Sequence, residues 1–306
     1  MAVETTITLD PELLKYLDKT FLERSVALNI HTEGAKEKKL GKNSGKTVTW
    51  TRRSPKDAAT TALTEGVTPA ESAIVTSKVT ATLAGYGNWE KISSLLYETG
   101  IDSDAKESIE TMGQNASETI DTLVRNELHT GATVQFANGR STLATVTADD
   151  VLTLTEIRKA VRALKKKNAI VYDDGFFLGK IGPDTSYNLM ADAAWLDAQK
   201  YTARKELYRG EVGSIHKVRF LEASSNQRSE ASTTTVYSNF IHGKEAFGTV
   251  DLSGFGRKKL IIKKSDSGDT SNPLNQFHTI GWKAEAFATK VLNPDWIINI
   301  KTGAKD

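Results

Sequence analysis

The sequence predicts an α+β protein, on three observations. A run of alternating segments closes the chain: 235–241, 246–252, 259–264, 278–291 and 296–300. Apolar residues recur at three- and four-residue steps over 104–129, which predicts one helix of about 26 residues. Threonine is abundant, at 36 residues, and β-branched side chains suit strands that are wet on one face.

Taken in order, Asp10 is a candidate N-cap ahead of Pro11, and Leu13, Leu14, Leu17, Phe21 and Leu22 predict a helix over 11–27. Residues 34–46 are rich in Gly and Lys with almost nothing apolar, and read as a mobile or lapping arm. Between Lys36 and Lys56, eight basic residues face Glu37 alone, so the arm could track phosphate, lie against an acidic neighbour or be a solvated tail. Thr47–Arg53 and 74–86 alternate as strands. The roughly 20 residues between them cannot build a core, which predicts a long protruding hairpin whose tip needs a function or a partner. The helical pattern starts by Ile92, and Gly113 inside it marks a candidate close crossing that costs about 1 kcal/mol relative to Ala. Further helices are expected over 151–167, ending on Lys165-Lys166-Lys167, and over 184–208; strands are expected at 176–181 and from 210 to 220. No fixed-period repeat is visible.

Composition excludes several classes. Forty Lys+Arg against 38 Asp+Glu argues against a strongly basic nucleic-acid binder. Without cysteine there is no disulfide framework, thiolate nucleophile or Cys-based metal site. No apolar run approaches the roughly 20 residues that span a bilayer, and the first residues lack the basic start and apolar core of a signal peptide. The expectation is a soluble chain made in the cytosol, without a membrane partner. Its hydrophobic share of 39% is low for about 300 residues, and the 22 glycines account for much of the gap.

No constellation calls for catalysis, a cofactor or a metal. Gly41-Lys42-Asn43-Ser44-Gly45-Lys46-Thr47 resembles a phosphate loop, but it has three residues between its glycines instead of four and leads into a strand. Asp149-Asp150 reads as an N-cap and first-turn acid, and Asp173-Asp174-Gly175 as a turn. The histidines at 31, 129, 216, 242 and 278 show no metal spacing, and there is no nucleophile elbow. Five tryptophans are expected as core or interface anchors, with Trp50, beside Arg52 and Arg53, the one best placed for a contact surface.

Several stretches together resemble a known family. They are Leu63-Thr64-Glu65-Gly66-Val67-Thr68-Pro69, Tyr86-Gly87-Asn88-Trp89-Glu90-Lys91-Ile92-Ser93, Arg209-Gly210-Glu211-Val212-Gly213-Ser214-Ile215 with Arg219-Phe220-Leu221-Glu222, Asn272-Pro273-Leu274-Asn275-Gln276 with Ile280-Gly281-Trp282-Lys283, and Val291-Leu292-Asn293-Pro294. In this order the chain resembles the tailed-phage major capsid proteins of the Hong Kong-97-like fold, in particular their N-four-type podophage branch. The resemblance implies an N-terminal arm (1–46), an extended loop (47–85), a peripheral domain with a long spine helix (86–167 and 256–306) and an axial domain (168–255).

It also implies a non-enzymatic subunit that assembles through pentamers and hexamers into an icosahedral shell around double-stranded DNA. Its partners would be copies of itself, a portal, and scaffolding or decoration proteins, with assembly in the host cytoplasm. Trp50, Arg52, Arg53, Glu65, Val67 and Pro69 are the expected inter-subunit contacts. A lumen-facing surface without strong basicity is expected, because packaged DNA must slide. A nanocompartment shell of the encapsulin type and a soluble α+β enzyme are the rival readings.

Overall fold

Phe277–Val291, the longest strand, organises the first of two large sheets in the computed structural model of this protein. The structure describes residues 19–21, 29–41, 45–54, 56, 58–95, 104–192, 195–196, 210–226, 228–231, 234–252, 258–265 and 272–305. The helix expected over 11–27 therefore lies almost wholly outside the described residues, as does most of 191–208.

The first sheet has five strands: β1 (Lys36–Leu40), β4 (Ala84–Ser93), β11 (Phe247–Leu252), β12 (Lys259–Lys263) and β13 (Phe277–Val291). β4, β11 and β12 each run antiparallel to β13, and β1 adds in parallel to β11 with Lys36 opposite Gly248. The second sheet follows the order β5 (Thr133–Phe136), β14 (Ile297–Thr302), β10 (Thr234–His242), β6 (Phe177–Ile181), β8 (Val218–Glu222), β7 (Glu211–Ile215), with β9 (Arg228–Ala231) also pairing β10. All five residues of β6 are buried, as expected of a central strand covered on both faces.

Helix α1 (Asp104–Gly131) is 28 residues, about 42 Å long at 1.5 Å per residue. It buries Ile109, Met112, Ala116, Ile120, Val124 and Leu128, a stripe at three- and four-residue steps. The first half of this stripe packs on Ile92, Ile280 and Trp282 of the first sheet. The second half meets Phe240, Phe247, Phe287, Val291 and Ile297, drawn from both sheets, so the helix joins them through one apolar layer. Helix α2 (Leu154–Lys166) lays Ile157, Ala160, Val161 and Leu164 on the second sheet, where α3 (Pro183–Met190) adds Leu189.

Three expectations are corrected. Residues 36–40 do not form a loose arm; their backbone completes a sheet edge, and strand addition requires main-chain hydrogen bonds more than apolar side chains. Residues 92–93 end β4 and are not helical. Strand pairing links distant segments: β5 and β14 join the strands of 177–242, while β11 joins β13. Asp150 does not cap α2, which begins at Leu154 behind Thr153.

Asp150 is instead buried at the centre of a loop. Its carboxylate accepts from the Thr147 N–H (2.8 Å), Asn138 Nδ2 (3.0 Å) and Arg140 Nε (2.9 Å). Burial pushes its pKa up, but these donors outweigh it and hold the group down at about 2. The resulting stabilisation, about 2 kcal/mol, is present above pH 4 and lost as pH falls through 2. Asp150→Ala should lower the unfolding free energy by at least that amount in urea titrations at neutral pH.

Candidate assembly surfaces

β2 (Thr47–Arg53) and β3 (Thr76–Thr82) pair antiparallel from Thr47–Thr82 to Arg53–Thr76, a two-stranded ribbon of about 24 Å. Its root is clamped to its own chain. Val48 is 1% exposed and Trp50 7%, and both pack with Ala81 against Val250 and Ala288. The indole lies over Gly248, where an added Cβ would come within 3.1 Å of it. Arg52 Nη1 donates to Asn293 Oδ1 at 3.0 Å. Trp50, expected on the contact surface, is thus corrected to an internal anchor; an indole opposite a glycine finds its apolar partner within the chain.

Beyond the root the character changes. The Ser54 N–H donates to the Val75 carbonyl, and no residue described between them belongs to a strand or helix. A turn at Thr64–Val67, closed by the Val67 N–H on the Thr64 carbonyl, uses Gly66 at φ +76°. Every described residue of this tip is exposed, including Leu63 (78%), Val67 (62%) and Ile74 (66%). Arg53, Glu65 and Pro69 are exposed with them. A polar segment that carries bare apolar side chains on a projecting ribbon has the form of a contact surface.

A second exposed feature lies on the face of β4, β12 and β13. Trp89 is 58% exposed and Ile261 39%, and Lys91 Nζ stands 5.2 Å from the Trp89 ring and 4.4 Å from Phe277. Of the remaining tryptophans, Trp195 and Trp282 are buried.

The chemically richest cluster is internal. His31 donates its backbone N–H to Asp121 Oδ1 (2.7 Å) and its Nδ1 lies 2.7 Å from Oδ2, which also accepts from Ser225 Oγ (2.7 Å). Lys180 Nζ donates to the His31 and Glu33 carbonyls at 2.7 and 2.9 Å and stands over the Phe247 ring. Tyr172 Oη donates to the Gly34 carbonyl and lies 3.1 Å from His242 Nδ1. Gly34 sits at φ +77°, and a Cβ there would collide with Tyr172 Oη.

Burial pushes His31 and His242 down, and for His31 the Asp121 carboxylate opposes this only in part. Burial would raise Asp121, yet the bonds from His31 and Ser225 hold it below the ordinary carboxylate range. Lys180 is lowered by burial to about 7, against the pull of Asp121 and Glu33. Although a serine, a histidine and an aspartate meet, the hydroxyl donates to the carboxylate and not to the imidazole, so no base stands ready to take its proton. The cluster is a latch that fixes residues 29–40 to α1 and β6. Sequence reading missed it, since 90 residues separate its first pair; Lys180 inside the apolar run Phe177-Leu178-Gly179-Lys180-Ile181 was the available signal. Among the described residues, no three His, Asp or Glu side chains gather as a metal site would require.

No protein-family model and no curated protein matches the sequence, but solved structures do. The capsid of Ralstonia phage GP4 superposes with a TM-score of 0.70 at 14% identity, covering 100% of this chain and 94% of that one. The capsid asymmetric unit of cyanophage Pam1 gives 0.64 at 19% identity, covering 99% and 96%. The chain has the Hong Kong-97-like capsid fold. A virus-like particle from Pyrococcus furiosus gives 0.58 at 10% identity, covering 94% and 99%. On this fold the exposed tip and the Trp89 face lie outside both sheets' cores, as exposed surfaces.

Proposed function

We propose that the chain is the major capsid protein of a tailed phage, assembling with its own copies as pentamers and hexamers into an icosahedral shell around double-stranded DNA. The observation that carries this reading is likeness over the whole length: the phage capsid chains are matched almost end to end. The projecting ribbon adds to it, since a lattice subunit needs heterologous faces more than a pocket.

In this reading residues 1–46 are the arm, latched over 29–40, and 47–85 the extended loop, with Arg52, Arg53, Glu65, Val67 and Pro69 lapping a neighbour. α1 is the spine of the peripheral domain, and the sheet around β6 and β10 belongs to the axial domain. A portal and scaffolding or decoration proteins are its further partners, assembly proceeds in the host cytoplasm and the N-four-type podophage branch is the narrower placement. The likeness to the Pyrococcus furiosus particle supports a second reading, a nanocompartment shell.

Sedimentation and electron microscopy of the purified chain test the proposal. Closed particles tens of nanometres across are expected, and DNA inside particles recovered from cells separates the first reading from the second. A stable monomer with catalytic turnover would overturn both.

A further inference from the structure

The near-neutral charge of the whole chain conceals one strongly basic groove. Arg158, Arg162 and Lys165 stand at i, i+4 and i+7 on α2, a row about 10 Å long on one helix face, with Lys166 beside it. Facing them are His216 and Lys217, which form the two-residue turn between β7 and β8. Both turn residues adopt positive φ, 49° and 64°, and Ile215 pairs Val218 across them, so the hairpin holds the turn rigidly against the helix. Val161, buried, forms the floor.

All six polar residues are exposed, and among the described residues none forms an ion pair with a carboxylate. On and beside α2, Glu156 pairs with Lys159 and Asp295 with Lys167. Five permanent cations with no carboxylate partner among the described residues repel one another, an arrangement that costs stability unless an anion lies there. Burial, and then the nearby Arg158 guanidinium, push the His216 imidazole down.

We propose that this groove binds the phosphate backbone of duplex nucleic acid without reading its sequence, in contrast to the expectation of a DNA-facing surface without strong basicity. A single phosphate or nucleotide is the wrong shape, because small ligands are enclosed and this groove is an open trough. The cation row instead spans about three successive phosphates of one strand. Among the described residues no ring but that of His216 lines the trough, which offers no platform for stacking unpaired bases, so a duplex fits better than a single strand. A protein partner would be expected to meet an apolar centre with charges at the rim, whereas the apolar residue here is buried beneath the charges. Two guanidiniums in the row suit bidentate contact with phosphate oxygens.

The test uses the full, unassembled chain and a labelled duplex of about 30 base pairs of arbitrary sequence, with affinity measured across a salt series by fluorescence anisotropy. The log–log salt slope is expected near about −4.5, from roughly five neutralised phosphates. Arg158→Gln/Arg162→Gln/Lys165→Gln keeps good helix formers on an exposed face and should flatten the slope by about 2.7 and weaken binding tenfold or more. Lys78→Gln, on the hairpin, should leave the slope unchanged. A triple variant that binds duplex like the parent overturns the proposal. So does one that binds normally but no longer forms particles, which would mark the groove as a seat for an acidic face of a second copy. Sedimentation of the same samples keeps the two readings apart: a parent chain that binds duplex yet never forms particles refutes the shell alone.

Discussion

Replacing residues 55–74 with Asn-Gly should yield a chain that folds as well as the parent and forms no shell. The splice point is set by the register: Ser54 and Val75 already exchange a hydrogen bond, so a two-residue type I′ turn can close the ribbon there without shifting a single pair. The root remains, because Val48, Trp50 and Ala81 keep their seat on Val250 and Ala288. Shortening the unpaired loop from 20 residues to two lowers the closure entropy by about 2 kcal/mol, so stability holds or rises. What disappears is Leu63, Val67 and Ile74, which at about 1.5 kcal/mol each amount to about 4.5 kcal/mol per neighbour contact, more than a thousandfold in affinity. Lattice contacts are individually modest and act through number, so a loss of this size at every interface abolishes closure. Circular dichroism and urea titration report the fold, and sedimentation reports assembly. Normal shells from this variant would remove the tip from the assembly surface.

The same ribbon shows what a sequence discloses and what it hides. Its strands were legible because alternation is a local signal, and so was α1, whose stripe from Ile109 to Leu128 repeats within one helix. The seat of Trp50 was not, because Gly248 lies almost 200 residues away and a glycine has no side chain to announce its partner. β1 was misread for a related reason: a Lys-rich segment looks solvated, yet a strand's backbone can pair while its side chains stay wet. The strand order was not legible either, because a sheet can recruit β14 beside β10 and β11 beside β13 irrespective of chain order. In the basic groove the lysines at the end of α2 were visible, and cations there complement the helix dipole. The partnership with His216 and Lys217 exists only after folding.

Asp121→Ala should be the most destabilising single change in the latch, and its cost should grow as the pH falls. The substitution strands the His31 backbone N–H, its imidazole and the Ser225 hydroxyl, all of which Asp121 satisfies. Removing one partner from a buried charged network costs about 3–5 kcal/mol, which for a slope of about 3 kcal/mol per molar shifts the urea midpoint down by 1 M or more. A simple cavity would produce the same shift at every pH. Here the carboxylate also supports the buried ammonium of Lys180, whose folded pKa of about 7 lies below its unfolded value of 10.5. Between those values the unfolded chain holds a proton that the folded chain lacks, so wild-type stability falls as pH drops from 10.5 to 7. Below pH 6.5 the depressed histidines His31 and His242 continue the decline, because they charge on unfolding. Without Asp121, Lys180 at pH 6 must either carry an uncompensated buried charge or release its proton, whereas at pH 9 it is already neutral. The midpoint deficit of Asp121→Ala should therefore be clearly larger at pH 6 than at pH 9, and Lys180→Met in the same background should remove that difference. Equal deficits at the two pH values would show that Asp121 acts only by filling space and accepting hydrogen bonds, and would leave Lys180 without an electrostatic role in the latch.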